Sequence, residues 1–146
     1  MAINLHQLLK AMVESGATDL HVTTGCPPLL RIDGDLVPLK AGKLTPVESR
    51  NLCYSVLSDK QKQRFEEEQE LDFSFGVKGL ARFRGNLFVQ RGATCAAFRL
   101  IPYEIPPLEQ LGLPPVVKRL TEAPRGLVLV TCTPACGPFA AGWARK

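Results

Sequence analysis

The chain lacks the residues that most chemistry at a site requires. It has two histidines, His6 and His21, in 146 residues. No serine, histidine and acid, and no cysteine and histidine, stand at a spacing that suggests an activated nucleophile. Cys132-x-x-x-Cys136 has no histidine near it, and zinc sites usually need four ligands, so no metal site is assigned. The five cysteines (Cys26, Cys53, Cys95, Cys132, Cys136) are an odd set without a framework. Together with the lack of a secretory apolar core, that points to free thiols in a reducing compartment. No apolar run approaches the roughly 20 residues that span a bilayer. The expected location is therefore the cytoplasm, without membrane insertion. A net charge of +4 is too mild to indicate nucleic-acid binding by itself, and none is expected.

Acidic residues are also missing, and here the gap is local. From Phe73 to Tyr103 there is no Asp or Glu, while Lys78, Arg82, Arg84, Arg91 and Arg99 all lie inside. The same stretch reads as three strands. Leu71, Phe73 and Phe75 alternate with Asp72 and Ser74, the period of two of a half-buried strand. Ala81, Phe83, Gly85, Leu87 and Val89 alternate with Arg82, Arg84, Asn86 and Gln90. Cys95, Ala97, Arg99 and Ile101 fall on one face of a third strand, and Thr94, Ala96, Phe98 and Leu100 on the other. The short turns at Gly76–Gly79 and Arg91–Gly92 predict antiparallel neighbours. A cationic hairpin of this kind is a candidate anion site. The competing account is that solvated arginines keep a sheet face soluble.

The other elements follow from local signals. Leu5, Leu8, Leu9, Met12 and Val13 predict a helix over about 5–14, with Asn4 as N-cap and Ser15-Gly16 as its stop. Thr18–Thr23 alternates as a strand, with His21 expected as a satisfied structural histidine. Leu29–Ile32 and Leu36–Leu39 form a hairpin about Asp33-Gly34-Asp35, whose aspartates read as turn formers. Thr45-Pro46-Val47-Glu48 and Ser58-Asp59-Lys60-Gln61 are capping boxes, predicting helices to about Leu57 and Gln69. Tyr54 and Phe65 read as packing, and Glu66-Glu67-Glu68 as a solvated helix face. Three prolines in 102–107 mark a linker. Beyond it come a helical turn at Leu108–Leu111, a short helix over 114–121 and an apolar run, Gly126–Thr131, that suits a strand buried in a parallel sheet.

Several phrases together resemble the N-terminal part of the type IV pilus retraction ATPases of twitching motility, within the wider secretion ATPase family. They are Ala17-Thr18-Asp19-Leu20-His21, Pro27-Pro28-Leu29-Leu30-Arg31-Ile32-Asp33-Gly34, Glu70-Leu71-Asp72-Phe73-Ser74-Phe75, Ala81-Arg82-Phe83-Arg84-Gly85-Asn86 and Phe98-Arg99-Leu100-Ile101-Pro102. Leu111-Gly112-Leu113-Pro114 and Pro124–Thr131 continue the match, which runs from about Ile3 to Thr131. The resemblance implies an α+β fold. Residues 1–101 would form a PAS-like antiparallel sheet with helices packed on one side, 102–107 a linker, and 108–131 the start of a RecA-like ATPase domain. It also implies, for full-length members, ATP and magnesium as cofactors, a cytoplasmic hexamer, and partners in the pilus inner-membrane machinery. Arginines of the N-terminal domain would contact nucleotide phosphates, a role carried to Arg82 and Arg99 with Arg84 behind them.

The chain departs from that pattern after Thr131. The family calls for a G-x-x-x-x-G-K-[ST] loop, and this chain has Cys132-Thr133-Pro134-Ala135-Cys136-Gly137-Pro138-Phe139. Gly137 is the one residual loop position. Pro138 and Phe139 stand where a lysine should meet the phosphates and a hydroxyl the magnesium, and the prolines remove backbone donors. The expectation is a truncated or frameshifted form with a divergent tail over 132–146. It would be incompetent for ATP hydrolysis alone, have no catalytic residue or cofactor of its own, and be monomeric or weakly oligomeric. Two alternatives come from other classes. One is a PAS-like module binding a ligand or protein, which an apolar pocket framed by strands 71–101 and the first two helices would favour. The other is a ring-assembly domain.

Overall fold

In a computed structural model of the chain, residues 4–103 and 107–129 are described. The chain divides into two compact units, Met1–Tyr103 and Glu104–Lys146. The first unit runs α1 (Leu5–Glu14), β1 (Asp19–Val22), β2 (Leu29–Ile32), β3 (Asp35–Pro38), α2 (Pro46–Tyr54), α3 (Asp59–Glu68), β4 (Glu70–Val77), β5 (Ala81–Gln90) and β6 (Ala93–Ile101). Its six strands form one antiparallel sheet in the order β3-β2-β1-β6-β5-β4.

Local chemistry sets the boundaries. The Asn4 side chain accepts from the His6 N–H and starts α1. Both capping boxes form: Thr45 with Glu48 opens α2, and Ser58 with Gln61 opens α3. Helix α2 ends at Tyr54, short of Leu57, where the Leu57 N–H closes a tighter turn on the Tyr54 carbonyl. Asp33 and Gly34, with φ of 50° and 94°, make the β2–β3 turn, and Arg91 and Gly92, at 52° and 74°, make the β5–β6 turn. Positive φ at both central residues matches the right-handed twist of the strands they join. Asp35 is not a turn residue; it begins β3.

One face of the sheet meets the helices. Leu5, Leu9 and Met12 of α1, Leu52 and Cys53 of α2 and Phe65 of α3 join Leu20, Leu30, Leu71, Phe83, Leu87, Ala96 and Phe98 in a single core. Phe83 and Phe98 are wholly buried there. At roughly 1.5–3 kcal/mol per buried large apolar side chain, this face dominates the stability of the unit. The glutamates of α3 are partnered on the surface: Arg50 and Tyr54 both reach Glu66, Arg64 reaches Glu68, and Gln63 reaches Glu67. Tyr54 and Phe65 meet edge to face at 6.1 Å.

In the second unit a 3₁₀ turn spans Leu108–Leu111 and α4 spans Pro115–Thr121, with no buried residue in either. The strand expected from Gly126 does not form over the described residues. Leu127 is 83% exposed, and the unit's described residues offer no second strand to complete a ladder. Gly137 and the divergent tail 132–146 lie outside the described residues. No helix among the described residues is long and apolar enough to cross a membrane.

Candidate functional site: an arginine face on the sheet

The opposite face of the sheet carries the charge. Its rows follow from the register. Gly76, Arg82 and Ile101 stand side by side across β4, β5 and β6. The next row is Ser74, Arg84, Arg99, Asp19 and Arg31, running from β4 to β2. The row after that holds Asp72, Asn86, Ala97 and His21. Across these three rows four guanidinium groups stand with two carboxylates, a local surplus of positive charge built on rigid strands, and Glu70 follows on the same face one row further along.

Each arginine is placed differently. Arg99 donates from Nε to Asp19 Oδ1 at 2.7 Å. Asp19 also accepts from Thr18 Oγ1 at 2.9 Å, and Arg31 Nε lies 3.6 Å from its second oxygen. Arg84 donates to Asp72 at 3.3 Å, and Asn86 shares that carboxylate. Arg84 and Arg99 stand directly opposite each other, a like-charge pair that would be unfavourable without Asp19, directly across from Arg99, and Asp72, diagonal to Arg84. Arg82 forms no ion pair among the described residues. Its stem lies beside Gly76, where an added Cβ would come 3.9 Å from Arg82 Cγ and from the Tyr103 hydroxyl. Of the three arginines singled out by sequence, two are held by carboxylates and one is uncommitted.

Asp19 and Arg31 were not singled out as site residues. Asp19 is 7% exposed although its face is open, because the arginines cover it. Burial alone would raise its pKa, but the Arg99 and Thr18 hydrogen bonds and the Arg99 charge hold it below the usual carboxylate range. Its position depends on β1 pairing with β6 across the sheet, which no local pattern reveals. His21 corrects an expectation: its Nε2 is buried with no hydrogen-bond partner. Burial, then the Arg31 charge, lower its pKa against the pull of Asp19.

A shallow cavity of about 290 Å³ lies on this face, lined by Asp19, Asp72, Arg84, Asn86, Ala97 and Arg99. A larger cleft, between the start of α1 and α2, is lined by Leu5, Leu44, Glu48 and Leu52 among others and not by the strands. A third cleft, of about 580 Å³, lies between α2, α3 and the β5–β6 turn, lined by Arg50, Tyr54, Phe65, Glu66, Val89 and Thr94 among others; it does not reach α1. Cys26, Cys53 and Cys95 are free; burial, with the neighbouring Cys95, pushes the Cys53 thiol up to about 12, so it stays protonated and inert.

No family model matches the chain. The type IV pilus retraction ATPase PilT of Pseudomonas aeruginosa is 42% identical over 140 residues, covering 96% of this chain and 39% of that protein. Homologues of this chain thus include a protein named type IV pilus retraction ATPase. A twitching motility protein of Neisseria gonorrhoeae is 36% identical over 117 residues, 80% of this chain and 30% of its own length. The crystal structure of the pilus retraction motor PilT with bound ADP superposes with a TM-score of 0.72 at 46% identity, over 83% of this chain and 36% of that one. The ATPase DotB of Legionella pneumophila, at 20% identity and a TM-score of 0.63, shares the fold over 96% of this chain and 39% of its own. The chain thus spans about two fifths of the length of these PilT and DotB relatives, and the likeness is to the N-terminal part of PilT.

Proposed function

We propose that this chain is the N-terminal module of a type IV pilus retraction ATPase, PAS-like in fold, whose arginine face presents cations to the phosphates of a nucleotide held elsewhere. The observation that carries this is the convergence of Arg82, Arg84 and Arg99 on one open sheet face, with Arg82 uncommitted. A guanidinium is permanently charged and offers paired N–H donors that match phosphate oxygens. In this proposal Arg82 and Arg99 make the phosphate contacts and Arg84 supports them.

The same proposal makes the chain unable to turn over ATP by itself. Residues 108–131 correspond to the start of a RecA-like domain, but Pro138 and Phe139 replace the lysine and hydroxyl of the phosphate-binding loop. ATP and magnesium belong to the full-length relatives, as do the cytoplasmic hexamer and the contacts with inner-membrane pilus machinery. Alone, the chain is a monomer or weak oligomer.

Steady-state phosphate release from magnesium-ATP tests the first half of this. The purified chain is expected to release none above a protein-free control. Release that is abolished by a substitution within 132–146 would overturn the proposal.

A further inference from the structure

We infer that Asp19 is the positioning residue of the arginine face: it grips Arg99 at Nε so that the two terminal amino groups stay turned toward a polyphosphate anion. This rests on the phosphate-contact proposal above. A guanidinium has five N–H donors, and a carboxylate can occupy its terminal edge, its side edge or one donor alone. Here the hydrogen bond from Arg99 to Asp19 uses Nε, and the described hydrogen bonds include none from its terminal nitrogens. The Arg99 side chain is 70% exposed while that of Asp19 is 10% exposed. The carboxylate is therefore buried while most of the Arg99 side chain is open to solvent.

Asp19 is itself fixed. It pairs directly across from Arg99 on one side and Arg31 on the other, within a continuous antiparallel ladder. Thr18 Oγ1 occupies its second oxygen, and Arg31 approaches that same oxygen at 3.6 Å. Arg31 in turn donates from Nη1 to the Gly34 carbonyl in the β2–β3 turn. With Thr18 and Arg31 both on its second oxygen and its backbone fixed in the ladder, the carboxylate does not follow Arg99 if the guanidinium swings, so it restricts the swing. A carboxylate on an anion-binding face ordinarily weakens binding by repulsion. It can be retained at a net gain only if ordering the arginine outweighs its charge.

That opposition gives the test its sign. Tripolyphosphate is titrated into the full chain and followed by calorimetry and by the Nε–H resonances of arginine. For Asp19→Asn, simple electrostatics predicts tighter binding, whereas positioning predicts binding weakened about tenfold, with the Arg99 Nε–H signal losing its protection from exchange. Arg99→Lys provides a second variant that leaves Asp19 in place. It keeps the charge, but its single nitrogen cannot be anchored at Asp19 and also present a separate planar pair of amino groups, and it is expected to bind as weakly as Arg99→Ala. Tighter binding by Asp19→Asn, or wild-type affinity in Arg99→Lys, would overturn the positioning role while leaving the phosphate contact standing. Tripolyphosphate affinity in the wild type that is absent, or indifferent to Arg82→Ala and Arg99→Ala together, would instead overturn the phosphate contact, and the positioning role with it.

Discussion

Phe73 lies across Gly85 in the β4–β5 ladder, and its ring occupies the space a side chain at 85 would need. A Cβ on Gly85 would stand 2.7 Å from Phe73 Cε1 and Cζ and 3.2 Å from Phe98 Cδ1. Phe73 also stacks on Phe75 at 5.6 Å, which stacks on Phe83 at 5.6 Å and meets Phe98 edge to face at 5.9 Å. The rings therefore cannot yield one at a time. Gly85→Ala is expected to lower stability by about 1–3 kcal/mol, the usual range for overpacking a filled core. Urea denaturation monitored by circular dichroism measures it, and Phe73→Leu in the same chain should recover part of the loss. An alanine variant as stable as the wild type would show that the ring has room to move.

Arg82 and Arg99 should differ in what they contribute to folding. Arg82 makes no ion pair among the described residues, so Arg82→Ala is expected to fall within about 0.5 kcal/mol of the wild type. Arg99→Ala leaves a mostly buried carboxylate short of its nearest partner, with Thr18 and the more distant Arg31 remaining. The expected loss is about 1–2 kcal/mol. Paired denaturation curves decide this; equal stabilities for the two variants would contradict the assigned geometry.

How far the sequence reveals this fold depends on how local each signal is. The cap at Asn4, the two capping boxes and the turns at Asp33-Gly34 and Arg91-Gly92 each rest on a few adjacent residues, and all form as their chemistry directs. Alternation in β5 and β6 is likewise enough to put Arg82, Arg84 and Arg99 on one face. What it does not reveal is the β1–β6 pairing, which joins residues about eighty positions apart and brings Asp19 to Arg99. The unpartnered His21 Nε2 is hidden for the same reason, since its neighbours come from β2 and β6. Gly126–Leu129 shows the converse limit: strand propensity without a ladder partner gives no strand.

The second unit should be the first to be cut. Helix α4 has no buried residue, and Arg125 to Leu129 has no regular structure. Lys118, Arg119 and Arg125 are therefore accessible to trypsin, whereas Arg82, Arg84 and Arg99 lie within ladder-bonded strands that resist it. Limited trypsin digestion followed by mass spectrometry is expected to leave a persistent fragment that retains Tyr103 and has lost the residues beyond Arg125. Early cleavage after Arg82, Arg84 or Arg99, ahead of 118–125, would show that the sheet is not the stable part.

His21 should make the unit less stable in mild acid. Its imidazole stands between Ala97 and Leu29 in the ladder, with Asp19 two residues back on its own strand and Arg31 and Arg99 on the strands to either side. Burial and the two guanidinium groups outweigh Asp19, so the folded-state pKa lies below 6.5. Below that pH the unfolded chain takes up a proton that the folded chain refuses. The unfolded state then binds more protons, and stability falls as pH falls, until the folded-state pKa is passed and the loss levels off. Asp19 contributes in the same direction but lower, because its depressed pKa confines its loss to pH below about 3.8. Denaturation midpoints measured from pH 7.5 to 5 should therefore decline in the wild type and decline less in His21→Gln, which cannot titrate. Parallel curves for the two proteins would mean that His21 takes up its proton in the folded state as readily as in the unfolded one.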